Sequence, residues 1–253
     1  MSVCENVQTF QPIPKGCSYV TQRKFSIKTI PFLKKAGQQT NPDWLDEHQK
    51  EYDDLLKLPF VELAENLKDN LLPFAPDYHF PTKGIGRIKR ASNKVVSGEP
   101  HYKDWLSLSA AKPSASRFER NPHLFFGILP NEPAYQGIIV AGGLFMPSGP
   151  QLKKVRNSIA DNSEPFHQLF NDREFKARFK SGFILTNSAT RVPRGFDADH
   201  SDIDWIKLKN FLVQKKISLT EFTSPELVDH IVKDFKQLLR LNRLIEDILE
   251  RKG

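Results

Sequence analysis

Residues Arg191-Val192-Pro193-Arg194-Gly195-Phe196-Asp197-Ala198-Asp199-His200 gather two guanidiniums, two carboxylates and an imidazole around a rigid proline and a permissive glycine. Arg191 and Arg194 have the planar fork that grips a phosphate or carboxylate through two parallel hydrogen bonds. His200 has the titration range of a general acid or base, with Asp197 or Asp199 available to orient its ring. A second basic group, Arg87, Arg90 and Lys103, lies about a hundred residues upstream. If the two stretches fold together they form an Arg-rich pocket for a small anionic ligand. Gly142-Gly143 would then let backbone approach that ligand, a task glycine performs because it carries no Cβ. The competing assignment pairs these arginines with Asp197, Asp199 and Glu99 to brace loops.

Other chemistries are weaker in the sequence. An enzyme of the hydrolase or phosphoryl-transfer type would use His200 and Asp199. However, no Gly-x-Ser-x-Gly elbow is present, and neither cysteine stands near a base. Asp197, Asp199, His200, Asp202 and Asp204 are rich in oxygen ligands, yet they fail the calcium-loop template. Its sixth position is not glycine, and Leu208 stands where the closing glutamate belongs. No metal site is therefore assigned. Gly84-Ile85-Gly86 lacks the third glycine of a dinucleotide fingerprint, Lys89 standing there, and no phosphate loop of the Walker type occurs, so the sequence leaves any cofactor unknown. The net charge of +7 leaves nucleic acid open as a partner, with Phe125, Phe126 and Tyr135 as rings for stacking. No helix-turn-helix, zinc-finger or RNA-recognition pattern supports it.

The elements that must position these groups follow from periodicity and punctuation. Residues 27–36 predict a short helix, and Asn41-Pro42-Asp43 predicts a helix start. Trp44, His48, Tyr52 and Leu55 or Leu56 continue on one helical face, with Pro59 as a kink or a new beginning. Residues 84–90 and 102–110 alternate like strands, and 123–129 and 137–146 are apolar runs with strand composition. A helix from Ser148 or Gly149, a second over 165–179, a loop over 191–200 and a short helix capped by Ser201 come next. Residues 211–213 suggest a further strand. Ser224-Pro225-Glu226 then opens a long amphipathic helix carrying Leu227, Ile231, Phe235, Leu238, Leu241, Ile245 and Ile248. That helix either covers the sheet or forms a homodimer seam. Trp44, Trp105 and Trp205 are expected in the core, and His48 packed at its edge.

Helices flanking a block of strands give an α+β class with a mainly antiparallel sheet, packed by N-terminal helices and the long C-terminal helix. The expected organisation is an irregular extension over 1–24 and a single α+β domain over 25–253. Two cysteines, Cys4 and Cys17, no apolar run of membrane length and no basic-then-apolar leader predict a cytoplasmic protein without membrane contact.

Three ordered segments resemble a family known only as domain of unknown function 2461. The first comprises Phe32-Leu33, Asn41 to Trp44, His48 to Tyr52 and Pro59, similar to the family's opening helix. Gly142-Gly143-Leu144-Phe145-Met146-Pro147 with Leu152 and Arg156 resembles its Gly-Gly-Leu-Trp-Met-Pro element. Arg191 to His200 with Leu208-Lys209 resembles its Pro-Arg-Gly-Tyr-Asp-x-Asp-His element. Ala91-Ser92-Asn93-Lys94 and the stretch from Ser97 to Lys103 depart from the pattern, marking a divergent member. The resemblance implies an architecture and a site location, and no chemistry.

Overall fold

The computed structural model describes residues 23–251 apart from 82, 115, 132–136 and 181. Cys4, Cys17, Tyr135 and most of the expected N-terminal extension lie outside the described residues. Helices α1 (Thr29–Ala36), α2 (Trp44–Glu47), α3 (Gln49–Tyr52) and α4 (Leu58–Leu71) precede strands β1 (Leu106–Ala111), β2 (His123–Leu129) and β3 (Gly137–Leu144). Then come α5 (Gly149–Asp161), α6 (Glu164–Asn171), α7 (Arg173–Arg178), α8 (Ile203–Ile206), β4 (Phe211–Ile217), α9 (Leu219–Phe222) and α10 (Leu227–Glu250). The strands pair antiparallel in the order β1-β2-β3-β4, which makes the fold α+β.

Strand alternation sorts the sheet into two faces. Leu124, Phe126 and Ile128 of β2 lie opposite Gly142, Val140 and Ile138 of β3. This face packs on α10, where a Cβ at Gly142 would stand 2.9 Å from the Leu238 Cβ. The whole apolar stripe of α10, from Leu227 to Ile248, is buried in the chain's own core. That stripe covers the sheet.

Local sequence accounts for most boundaries. Ser148 caps α5 through the Gln151 backbone N–H, while the Gln151 side chain accepts from the Ser148 N–H, a reciprocal capping box. The helix expected over 165–179 is split: Asp172 breaks it and caps α7 by accepting from the Phe175 N–H. Asp202, not Ser201, is the residue preceding α8. Between α3 and α4 the backbone takes a π-helical turn, Asp53–Lys57. Pro59 follows in the first turn of α4, and the wide turn relieves its clash with the carbonyl four residues back.

Two expectations fail for stated reasons. Residues 84–90 make no strand: Gly84 and Gly86 take φ of +70° and +76°, and only the bridge Lys89–Tyr102 forms. Trp105 is 40% exposed, with the Lys103 ammonium 4.7 Å above its ring, rather than buried with Trp44. Trp205 packs edge-on against Phe166, Phe170 and Phe183. His48 stacks on Trp44 at 4.3 Å between ring centroids. Among the described residues no helix is long and apolar enough to cross a membrane.

Candidate functional site

The upstream basic group sits on an arm that leads into β1. Arg90 N–H donates to the His101 carbonyl and Lys103 N–H to the Ile88 carbonyl, both at 2.9 Å, so 88–90 and 101–103 run side by side. Two tyrosines fix this arm to the first helices. Fully buried Tyr102 donates its hydroxyl proton to the Pro42 carbonyl (2.6 Å) and accepts from the Leu45 N–H (3.1 Å). Tyr52 donates to the Gly86 carbonyl at 2.9 Å. Burial chiefly, with Asp53 adding, pushes its phenol up to about 12, so it stays a donor.

On this arm the cations crowd one another. The Lys103 ammonium is held below its ordinary value, first by burial and then by repulsion from Arg87, Arg90 and Lys94. Among the described residues its Nζ donates to the Arg87 carbonyl at 3.4 Å and stands over the Trp105 ring. Among the described residues no carboxylate pairs with any of the four. Lys94 is a member that the sequence did not single out, because the short 3-10 turn Ser92–Lys94 shows no periodic signal.

The downstream segment, 191–200, is built differently. His200 accepts the Asp202 backbone N–H at Nδ1 (3.0 Å), and its Nε2 donates to the Ala160 carbonyl (3.2 Å). One ring nitrogen thus holds the local turn at Asp202 while the other pins the loop to α5. Asp199 is exposed, and its backbone N–H donates to Asp197 Oδ1 at 3.0 Å. This is a local Asx turn, not an imidazole partner. Arg191 and Arg194 are exposed and make no ion pair among the described residues. Arg156, on α5, donates from Nη2 to the Leu208 carbonyl at 2.9 Å, while its Nε is buried without a partner.

The carboxylate that does meet an imidazole is Asp202, with His167 of α6. Asp202 Oδ1 lies 2.9 Å from His167 Nε2, and its Oδ2 accepts from Ser163 Oγ at 2.6 Å. His167 also packs on Trp205, 4.5 Å between ring centroids. An imidazole oriented this way presents its other nitrogen as a proton acceptor. Burial pushes the Asp202 carboxyl up, but hydrogen bonds from Ser163 and His167 outweigh it and hold the group below its ordinary value. A lowered carboxyl contributes stability above the unfolded-state value that is lost as pH falls through the folded one. Asp202→Asn is therefore expected to flatten the acid limb of a Tm-against-pH profile, as pH falls below the ordinary carboxyl value of 3.8. An unchanged limb would assign that linkage to other carboxyls.

The two arms are held by different elements. The sheet register places Leu106 level with Ile128, Ile138 and Ile217, whereas Leu212 is level with Gly143 and His123. The starts of β1 and β4 are diagonal corners of the sheet, roughly 20 Å apart from strand rise and spacing. One arm docks on α1–α3 and the other on α5 and α6, and among the described residues no hydrogen bond or ion pair joins them. Among the described residues, no hydrogen bond or ion pair brings Arg87, Arg90 and Lys103 together with Arg191 and Arg194. Gly142 and Gly143 also have packing roles: the first admits Leu238, and a Cβ on the second would meet the Phe211 carbonyl oxygen.

A four-stranded antiparallel sheet backed by helices, with the long α10 packed on it, defines an α+β protein. Residues 28–243 match the model of the family described as Conserved hypothetical protein (DUF2461), and the chain belongs to that family. No curated protein and no solved structure matches it.

Proposed function

We propose that this protein binds a small phosphate- or carboxylate-bearing ligand on the arm formed by Arg87, Arg90, Lys94 and Lys103. The observation that carries the reading is the half-buried Lys103 ammonium, crowded by three like charges and paired with no carboxylate among the described residues. Such a cluster is relieved when an anion replaces the missing counter-charge. Arg191 and Arg194 belong to a different surface and are not part of this site.

Calorimetric titration with inorganic phosphate and with citrate at low salt tests the reading. Lys103→Ala is expected to weaken binding about tenfold or more, the equivalent of one charge-assisted hydrogen bond. Arg191→Ala is expected to leave it unchanged. Equal affinity in the Lys103→Ala variant would refute the assignment.

A phosphodiester strand is the second reading, favoured by the half-exposed Trp105 ring beside Lys103. The slope of log K against log salt separates the two, being steep for a strand that contacts several phosphates and shallow for a single group.

A further inference from the structure

We propose that His167 and Asp202 form an acyl-transfer centre that hydrolyses small neutral esters, with the His167 imidazole as nucleophile. His167 stands on α6, its backbone N–H donating to the Ser163 carbonyl at 3.2 Å, and one face of its ring lies against Trp205. The Asp202 side chain, only 9% exposed, is fixed from three directions. His167 Nε2 lies 2.9 Å away, Ser163 Oγ 2.6 Å and Ser201 Oγ 3.3 Å. A carboxylate only accepts, so Nε2 of the neutral ring carries the proton and Nδ1 keeps its lone pair. Nδ1 has no partner among the described residues and is not buried, the side chain being 39% exposed. The other imidazole–carboxylate approach among the described residues, His230 with Glu221 at 3.4 Å, has its Nδ1 buried.

Held in this way, Nδ1 attacks the ester carbonyl carbon, and the alcohol leaves with the electron pair of the broken C–O bond. The acyl-imidazolium keeps its Nε2–H, and the Asp202 carboxylate stabilises the positive charge, as a buried aspartate does for a catalytic histidine. Water then attacks the acyl carbon, the C–N bond breaks and the free imidazole is restored. The sum is ester plus water to carboxylic acid plus alcohol. Ser163 and Ser201 are not the nucleophiles, because both give their hydroxyl protons to Asp202. Two features set the substrate class. Among the described residues no Lys or Arg pairs with either group, so nothing there offsets an anionic ester against the Asp202 charge. The part-exposed Trp205 ring beside the imidazole offers an apolar face to the acyl or aryl group. This centre is independent of the cationic arm.

The test is hydrolysis of para-nitrophenyl acetate by the full chain, alongside carbethoxylation by diethyl pyrocarbonate mapped by mass spectrometry. His167→Gln is expected to lower the rate constant for the ester about tenfold or more. His79→Gln removes an exposed imidazole with no carboxylate partner among the described residues and should leave the rate in place. Asp202 is a positioning residue, so Asp202→Asn should slow ester hydrolysis and the carbethoxylation of His167 together. In the unsubstituted chain His167 should be carbethoxylated ahead of His79. A rate unaltered by His167→Gln, a His167 that reacts no faster than His79, or full reactivity in the Asp202→Asn variant would each overturn the proposal. The order of carbethoxylation in the unsubstituted chain decides the question if a variant fails to fold.

Discussion

Asp234→Ala is expected to remove about 3–5 kcal/mol of stability, the typical loss when one partner of a buried ion pair is deleted. Asp234 is fully buried on α10 and receives Arg178 of α7 at 2.7 Å and Lys215 of β4 at 2.6 Å. Lys215 stands on the inner face of the sheet, where alternation calls for an apolar side chain; its ammonium is tolerated because the carboxylate meets it. Without Asp234, two cations from separate elements face each other in a partly desolvated space. Glu221, 3.4 Å from Lys215, is the remaining acid and serves only one of them. In urea the unfolding midpoint should fall by about 1 M or more. As a control, Asp54→Ala removes an exposed pair with Lys50 and should leave the midpoint in place. Coincident midpoints for the two variants would mean the buried network contributes nothing.

Gly143→Ala comes next in size. Gly143 takes φ of +119°, and an added Cβ would fall 2.0 Å from the Phe211 carbonyl oxygen. Backbone strain and overpacking each cost roughly 1–3 kcal/mol, and here both act at the β3–β4 seam. The expected loss is about 2–5 kcal/mol, or failure to accumulate as folded protein. Gly195 offers the comparison, since it has φ of +90° but nothing within 4 Å of its ideal Cβ. Gly195→Ala should register the strain alone. Thermal unfolding of both variants measures the difference; a Gly143→Ala protein with unaltered Tm and impaired phosphate affinity would return that glycine to a ligand-contacting role.

The sequence makes some of this molecule plain and hides the rest. The bounds of β2 are legible because His123–Leu129 is an apolar, Phe- and Ile-rich run closed by prolines on both sides. The start of α5 is legible from Ser148 and Gln151, three residues apart, as a capping box requires. By contrast, His167 and Asp202 meet across 35 residues with no shared periodicity, so adjacency pointed to His200 and Asp199 instead. The diagonal placement of the basic arms depends on strand register, which residue types alone do not specify for a β4 reached through four helices. The outer side of the sheet is hidden for the same reason, since only pairing shows that Phe125, Ile139, Ala141 and Gln214 share it.

The wide turn at Asp53–Lys57 resets the rotational phase between the helix before it and the helix after it. Tyr52 thereby reaches the Gly86 carbonyl while Phe60 still enters the aromatic interior beside Phe25 and Phe126. A relative shorter by one residue at this spot would have to surrender one of those two attachments. The turn therefore acts as a phase adjuster that lets a single run of helix serve two masters.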